Sequence, residues 1–311
     1  NPFKKLFAPT TGLSRMEASP QWSTALPIEK PTIFNTVKEI RTRLQEVRNQ
    51  GQSISFVPTM GNLHQGHFDL ILKASELADH VVVSIFVNPM QFGPHEDFDA
   101  YPRTLATDFG ALSELPCQSI FAPTVREIYP KGVSTEIDVP SLSTILCGQH
   151  RPGHFRGVAT IVNKLLNIVE PQYAILGKKD YQQLQVIETM VSDLLMPIKI
   201  VGAETTREPS GLAMSSRNAY LSEIQRTLAA ELFHSLNTLA IALAETRHMS
   251  PILKIERQRL TDAGFIVDYL EIRNADNISA TYLEATRAVI LVAARLGKAR
   301  LIDNLVVHLT H

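Results

Sequence analysis

The sequence has little cysteine and almost no net charge, and each scarcity excludes a class of protein. Its two cysteines, Cys117 and Cys147, lie far apart and form no C-x-x-C pair, so they indicate neither a zinc ribbon nor a disulfide framework. The formal net charge of -1 argues against broad contacts with nucleic acid or an anionic membrane. No apolar run reaches the length of a bilayer, so we expect a cytoplasmic protein with a small-molecule ligand.

Strand and helix patterns alternate along the first two thirds of the chain. The run VVVSIFV at 81–87 is apolar without alternation, which is typical of a strand buried on both faces of a parallel sheet. Apolar spacing predicts helices between the strands, the first from Ile33 to Arg48. The alternation predicts an α/β fold with a Rossmann-like, doubly wound parallel sheet. Such sheets bind ligands beyond the carboxyl ends of their strands.

The alternation of strand and helix patterns ends near residue 205, which predicts a domain boundary. A loop containing Gly and Ser follows, and then a long helix from Glu223 to Arg247 that starts with the capping-box pattern Ser222-x-x-Gln225. The predicted organisation is a disordered extension over 1–30, a Rossmann-like nucleotide domain over 31–205 and a smaller α+β lid domain over 206–311.

The segment VPTMGNLHQGH at 57–67 leaves a strand and enters a helix with two histidines three residues apart. Free N–H groups and the helix dipole at such a junction favour an anion. The spacing of Gly61 and Gly66 imitates a P-loop, but the lysine and the hydroxyl residue of that motif are missing. The rings of His64 and His67 can point to one spot and donate hydrogen bonds to phosphate. The alternatives are a zinc pair, which needs a further ligand, or histidines without a role.

Three further segments place polar side chains at strand ends or at the domain boundary. NPMQF at 88–92 offers two carboxamides, which suit a ligand with hydroxyl and carboxylate groups, although its proline equally fits a simple turn. LGKKDYQQ at 176–183 places two lysines where they can meet a phosphate, with a solvated charge run as the alternative. MSSR at 214–217 adds two hydroxyls and a guanidinium, which can clamp a polyphosphate from a movable loop.

Together with EDFDAYPRT at 96–104, CGQHRPGHFRGVATIV at 147–162, REPSGLAMSSRN at 207–218 and ARLGKARLIDN at 294–304, these segments resemble the pantothenate synthetase family. The strand-loop-H-x-G-H unit alone is shared with the wider nucleotidylyl-transferase superfamily. The resemblance implies that ATP and pantoate give pantoyl adenylate and pyrophosphate, and that β-alanine then displaces AMP to form pantothenate. It further implies Mg²⁺ as a cofactor, ATP and pantoate binding in the first domain, and a homodimer.

The same resemblance implies a role for each matching residue. His64, His67, Lys179 and Arg217 would form the catalytic set, with His67 as the proton donor. Gln91 and Gln183 would hold pantoate, Gln91 would also lie beside β-alanine, and we add Asn88 to the pantoate site from its position in the chain. The ATP site would comprise Met60, Gly61, Asn62, Leu63, His64, Gln65, Gly66, His67, Gly177, Lys178, Lys179, Asp180, Thr206, Met214, Ser215, Ser216 and Arg217.

Two positions depart from the family pattern. Ser210 and Thr206 stand where the family often has Asp and Val, and neither change removes a catalytic group. Asp108, just after YPRT, is a candidate ligand for Mg²⁺. Two other functions fit part of the pattern: a nucleotidylyltransferase that stops at the activated product, and a non-catalytic nucleotide sensor. A sensor has no need of the two substrate-side glutamines.

Overall fold

The structure is a computed structural model, and it describes residues 30–94 and 96–309. The predicted disorder of residues 1–30 therefore falls, up to residue 29, outside the described part of the chain. Two sheets organise the described residues, one with six parallel strands and one with three antiparallel strands.

The six-stranded sheet has the order β1-β4-β3-β2-β5-β6. Its strands are β1 (Thr32–Phe34), β2 (Ile54–Thr59), β3 (His80–Ile85), β4 (Ser119–Phe121), β5 (Tyr173–Gly177) and β6 (Lys199–Ala203). The helices of this part are α1 (Val37–Asn49), α2 (Gln65–Ser75), α3 (Leu105–Leu112), α4 (Val125–Ile128), α5 (Pro140–Ser143), α6 (Cys147–His150), α7 (His154–Val169) and α8 (Tyr181–Asp193). Single 3₁₀ turns occur at Pro89–Gln91 and Lys178–Asp180. The predicted α/β fold class is confirmed.

Alternate residues of the central strands enter two different cores. Phe56 and Val82 belong to a core that contains residues of α1, α7 and α8, whereas Val57 and Val83 belong to one that contains residues of α2 and α3. Because successive side chains of a strand point to opposite faces, a strand that is apolar on both faces must be covered on both. The unbroken apolar run after residue 80 is therefore explained by helices on both sides of the sheet.

The C-terminal part is an antiparallel sheet with helices on one face. It comprises a 3₁₀ turn at Ser216–Tyr220, α9 (Glu223–Ala229), α10 (Glu231–Glu245), α11 (Ser250–Asp262), β7 (Ile266–Asn274), β8 (Arg287–Leu296) and β9 (Ala299–His308). Leu270 and Ile290 pack with these helices, whereas Tyr269, Val289 and Leu291 join the core of the first sheet. The C-terminal sheet is thus buried on both faces and shares a core with the six-stranded sheet.

Two of the predicted helices were wrong in their bounds. Ile33, predicted as the start of a helix, lies in β1, where it is the partner of Ile120 in β4. The helix begins after Thr36, whose hydroxyl accepts the Glu39 N–H at 3.2 Å. Ile33 fell at a helical interval from Val37 by coincidence, because a pairing with a distant strand is invisible to local periodicity.

The predicted helix from Glu223 to Arg247 is interrupted at Ala230 and ends at Glu245. Its capping box, Ser222 with Gln225, is confirmed. Among the described residues, Glu223–Glu245 is long and apolar enough to cross a bilayer, contrary to the expectation from the sequence. One face of α10 nevertheless packs in the core of the C-terminal part, through Leu232, Leu236, Leu239 and Leu243.

Candidate active site

A cleft opens at the carboxyl ends of the central strands. Residues of the 57–67 segment at the end of β2, the 88–92 turn after β3 and the 177–183 segment at the end of β5 line it. Segments 204–206 and 214–217 also line it. The structure therefore brings together the three polar segments that the sequence placed at strand ends, and adds the loop at the domain boundary.

The two histidines of the H-x-G-H motif are oriented by the backbone around them. His64 caps α2, and its Nδ1 accepts the Gly66 N–H at 3.1 Å. Nδ1 of His67 accepts the His64 N–H at 3.3 Å. Since Nδ1 is the acceptor in each ring, a neutral imidazole must carry its proton on Nε2. A Cβ on Gly66 would lie 3.0 Å from Cε1 of His64, so the glycine lets the first ring fold back on the helix.

Both rings are neutral at physiological pH. Burial, the neighbouring His64 and the Lys179 charge lower the pKa of His67 from 6.5 to about 3. Burial and Lys179 lower the pKa of His64 to about 4. Without a ligand, His67 therefore offers an N–H hydrogen bond rather than a surplus proton, which limits the proton-donor role that the family resemblance implies.

Asp108 shapes the loop between the strand and the histidines. Its carboxylate accepts the Asn62 N–H at 3.0 Å and the Leu63 N–H at 2.9 Å, and the residue is 2% exposed. Asn62 has a φ of 52°, a left-handed conformation that these bonds help to hold. Asp108 is not among the residues that line the cleft. Asp108 thus orders the loop of Gly61, Asn62 and Leu63, three residues that also do not line the cleft, and the roles predicted for these four residues stay predictions.

Asn88 is a scaffold for Gln91. The Oδ1 of Asn88 accepts the Tyr129 hydroxyl at 2.8 Å and the Met90 N–H at 3.3 Å, and its Nδ2 donates to the Gly157 carbonyl at 3.1 Å and to Oε1 of Gln91 at 3.2 Å. The side chain lines the cleft, but all its hydrogen-bonding positions are used within the protein. These bonds give Asn88 a positioning role for the turn that carries Gln91, and its contact with pantoate stays a prediction.

A second network, which the sequence analysis missed, holds the Gln91 backbone. His154 Nδ1 lies 2.8 Å from the Gln91 carbonyl oxygen, so it carries the proton and donates it there. Its Nε2 then accepts from Nη1 of Arg151 at 2.9 Å, and Nε of Arg151 donates to Glu96 at 2.6 Å. Glu96 and Arg151 are 55 residues apart in the sequence. Their charges are visible there, but nothing in the sequence indicates that the two residues form a pair.

The three cations predicted for the ATP site, Lys178, Lys179 and Arg217, differ in their positions relative to the cleft. Lys179 lines the cleft with Asp180, at 3.8 Å between Nζ and Oδ2. Lys178 pairs with Glu204 and lines a neighbouring groove instead. Arg217 lines the cleft and donates to Oδ1 of Asp97 at 2.9 Å. Of the two lysines predicted for the ATP site, the structure brings Lys179 to the histidines.

The 204–217 loop is tied to the H-x-G-H segment and to α2. Ser216 donates to the Asn62 carbonyl at 3.1 Å, and Thr206 donates to the carboxylate of Asp69. Ser215 accepts the Arg217 N–H at 3.3 Å. The remaining ATP-site residues divide by position: Met60, Gly66, Gly177 and Met214 line the cleft with Gln183, whereas Gln65 bonds to Asp69 at 2.8 Å and does not line it.

One wall of the cleft is apolar and was not predicted. It is formed mainly by one face of α7, through Val158, Ile161, Val162 and Leu165, with Phe86 and Tyr101 nearby. Tyr101 is also 5.9 Å, ring centroid to Cζ, from the guanidinium of Arg217. The helical spacing of the α7 residues marked an apolar face, but periodicity does not tell a core face from a ligand-facing one.

A zinc site at the histidine pair would require a third ligand. Within residues 30–94 and 96–309, no group of three or more His, Cys, Asp and Glu side chains is placed to hold a metal ion.

The buried histidine network should make the protein sensitive to acid. Burial and Arg151 lower the pKa of His154 from 6.5 to about 3. Between those pH values the unfolded chain binds a proton that the folded chain does not, so the free energy of unfolding falls as pH falls, by up to about 1.4 kcal/mol per pH unit for one histidine. We expect the free energy of unfolding, measured with urea at several pH values from 7 to 4, to fall less steeply with falling pH in His154→Gln than in the wild type. The exposed His248, replaced in the same way, is the matched control, and an unchanged slope in His154→Gln contradicts the prediction.

Fold and site together define a nucleotide-dependent enzyme: a Rossmann-like sheet that presents an H-x-G-H pair, a lysine and an arginine to one cleft. The family model described as pantoate-beta-alanine ligase matches residues 32–306, and the chain belongs to that family.

Individual relatives are similar to this chain over most of its length. It is 54% identical over 271 residues to a pantothenate synthetase of Shewanella loihica, covering 86% of this chain and 96% of that one. It is 54% identical over 276 residues to the enzyme of Shewanella halifaxensis, covering 88% and 98%. A solved pantothenate synthetase of Thermus thermophilus superimposes with a TM-score of 0.83 at 42% identity, covering 88% and 98%. The ligase of Francisella tularensis, solved with β,γ-ATP and β-alanine, gives 0.76 at 36% identity, covering 88% and 97%.

Proposed function

We propose that the chain condenses pantoate with β-alanine in an ATP-dependent reaction that passes through pantoyl adenylate. The observation that carries the proposal is the convergence of two neutral imidazoles, Lys179 and Arg217 on the same cleft as Gln91 and Gln183. The first group suits a polyphosphate and the second a ligand with hydroxyl and carboxylate groups. Membership of the family and the relative that holds an ATP analogue and β-alanine support the same reaction.

In the first step, a carboxylate oxygen of pantoate forms a bond to the α-phosphorus of ATP while the bond to pyrophosphate breaks. An anion attacks an anion, so the barrier depends on donors already aimed at the phosphates. The Nε2–H groups of His64 and His67 are held toward the cleft by the backbone bonds to their Nδ1 atoms. Lys179 and Arg217 supply the formal positive charge.

In the second step, the amine of β-alanine attacks the acyl carbon, a proton leaves the nitrogen and AMP departs. An acyl adenylate hydrolyses in water, so its surroundings need to exclude solvent. The apolar wall formed by one face of α7 serves this purpose and fits the two methyl groups of pantoate. Gln91 and Gln183 hold the polar end of the substrate.

Magnesium fits the cleft as an ion carried mainly by the ATP phosphates. Mg²⁺ in such sites commonly contacts one or two carboxylates and completes its shell with phosphate oxygens and water. Asp180 and Glu204 both line the cleft, and Asp180 lies beside Lys179, whereas Asp108 accepts N–H groups of the loop. The ion would supply neutralisation of the phosphate charge.

We also propose that the enzyme is a homodimer that works in the cytoplasm, as the family resemblance implies. Sedimentation equilibrium at several protein concentrations tests the first part, and a monomer mass at all of them contradicts it.

The reaction is tested with ATP, Mg²⁺ and pantoate, with and without β-alanine. We expect pyrophosphate release in both mixtures, and AMP with pantothenate only when β-alanine is present. Pyrophosphate without any amide product identifies an enzyme that stops at the adenylate. ATP binding without pyrophosphate release identifies a nucleotide sensor.

A further inference from the structure

Asn304, on β9 of the C-terminal sheet, contacts the turn that carries Lys179. Its Nδ2 donates to the carbonyl oxygen of Lys178 at 2.9 Å and to that of Lys179 at 2.9 Å. The residue is 6% exposed, so water competes little for these bonds. A single amide nitrogen from the second domain therefore fixes two successive carbonyls of the Lys178–Asp180 turn.

Its neighbour Asp303 holds the other phosphate-facing segment. Asp303 is 4% exposed and forms a two-pronged ion pair with Arg207, at 2.6 Å to Nη1 and 2.9 Å to Nη2. The guanidinium of Arg207 also lies over the ring of Phe233, 3.8 Å from its centroid. Arg207 directly follows Thr206, at the start of the loop that leads to Arg217. Two adjacent residues of β9 thus hold both nucleotide-facing segments of the cleft.

We propose that Asn304 is a positioning residue for Lys179 in the ATP half-reaction, an inference that depends on the phosphate-binding role proposed above for Lys179. The orientation of the two carbonyls sets the backbone of the turn, and the backbone sets the direction of the Lys179 side chain. Only a group with two N–H donors on one atom satisfies both carbonyls from this place. An isosteric carboxylate offers no donor and repels both oxygens.

The bonds of Asn304 go to the nucleotide side of the cleft. On the substrate side, the Gln91 backbone is bound by His154 and its side chain by Asn88, whereas Gln183 lies in the first turn of α8, directly after the turn that Asn304 holds. A change at Asn304 therefore raises the KM for ATP and slows pyrophosphate release by a larger factor than it raises the KM for pantoate. A residue that only stabilises the fold has no reason to separate the two substrates.

The test is Asn304→Asp, compared with Asn274→Asp as the matched control. Asn274 lies in β7 of the same sheet, and its side chain caps the Asp276 N–H at 2.8 Å, away from the lining of the cleft. With the full chain, we expect Asn304→Asp to raise the KM for ATP and to slow pyrophosphate release, each by about tenfold or more. The control should match the wild type. A folded Asn304→Asp enzyme with normal ATP kinetics, or with equal losses for every substrate, overturns the proposal.

A double-mutant cycle with Lys179→Ala separates positioning from general damage. If Asn304 acts through Lys179, Asn304→Asp adds little to the loss already caused by Lys179→Ala. If the two losses multiply, the proposal is wrong. If Lys179→Ala alone leaves pyrophosphate release unchanged, the role of Lys179 fails instead, and the two failures are distinguishable. Should Asn304→Asp be insoluble, Asn304→Ser, which keeps one donor and introduces no repulsion, goes through the same cycle with the same criteria.

Discussion

His67→Ala is expected to slow pyrophosphate release by about 10²- to 10³-fold while the protein remains folded, the typical loss when one charge-stabilising donor is removed. The variant loses the Nε2–H group that faces the cleft and the Nδ1 that accepts the His64 N–H at 3.3 Å. The second loss leaves one N–H at a helix terminus, where solvent can replace the partner. Pre-steady-state measurement of pyrophosphate with ATP, Mg²⁺ and pantoate isolates the step.

Two substitutions separate the functions of the two ring nitrogens. An asparagine amide reaches the position of Nδ1, whereas a glutamine amide reaches that of Nε2. We therefore expect His67→Gln to recover part of the rate lost in His67→Ala, and His67→Asn to recover little. A near-normal rate in the alanine variant removes His67 from the chemistry. Equal rates in the glutamine and alanine variants show that transfer of a proton, rather than donation of a hydrogen bond, is what His67 provides.

The neutral state of His67 carries a consequence for pH. In the free enzyme its pKa is about 3, since burial, the neighbouring His64 and the charge of Lys179 disfavour the imidazolium. A polyphosphate in the cleft opposes the charge of Lys179, so we expect binding of ATP to raise the pKa of His67. ATP therefore brings the ring closer to a state in which it can share a proton with the leaving pyrophosphate.

Residues close in sequence made the fold and part of the cleft predictable. The apolar run at 81–87 indicated a buried parallel strand, and the motifs at strand ends converge because all parallel strands of one sheet end at the same edge. The pairing of His64 with His67 was predictable for the same reason, since three residues at a helix start determine it.

The rest of the site depends on partners that are distant in the chain. Asp108 bonds to a loop 45 and 46 residues away, Asn88 to a carbonyl 69 residues away, and Asn304 to carbonyls 125 and 126 residues away. Each of these residues is recognisable in the sequence as polar, but the spacing of apolar residues reports only on neighbours in the chain and does not predict such distant pairs. Asp108 was predicted to bind magnesium and Asn88 to bind pantoate without knowledge of these partners, and both assignments stay predictions.

Gly157→Ala is expected to lower kcat/KM for pantoate by about 10²-fold, the cost of moving a substrate-binding group by roughly 1 Å. Gly157 lies in the first turn of α7, where an added Cβ would be 2.4 Å from the Met90 carbonyl oxygen and 2.8 Å from Cα of Gln91. Both atoms are backbone and cannot rotate away, so the turn that carries Gln91 must shift. The same overpacking should lower the free energy of unfolding by about 1 to 3 kcal/mol.

Gly110 provides the matched control for this substitution. It lies inside α3, and a Cβ there would meet nothing within 4 Å. Gly110→Ala should raise stability by about 0.5 to 1 kcal/mol, because alanine loses less backbone entropy in a helix than glycine does. Its kinetics should match the wild type. Normal pantoate kinetics in a folded Gly157→Ala enzyme would show that the contact between α7 and the turn does not set the position of Gln91, and that the apolar wall tolerates a shift.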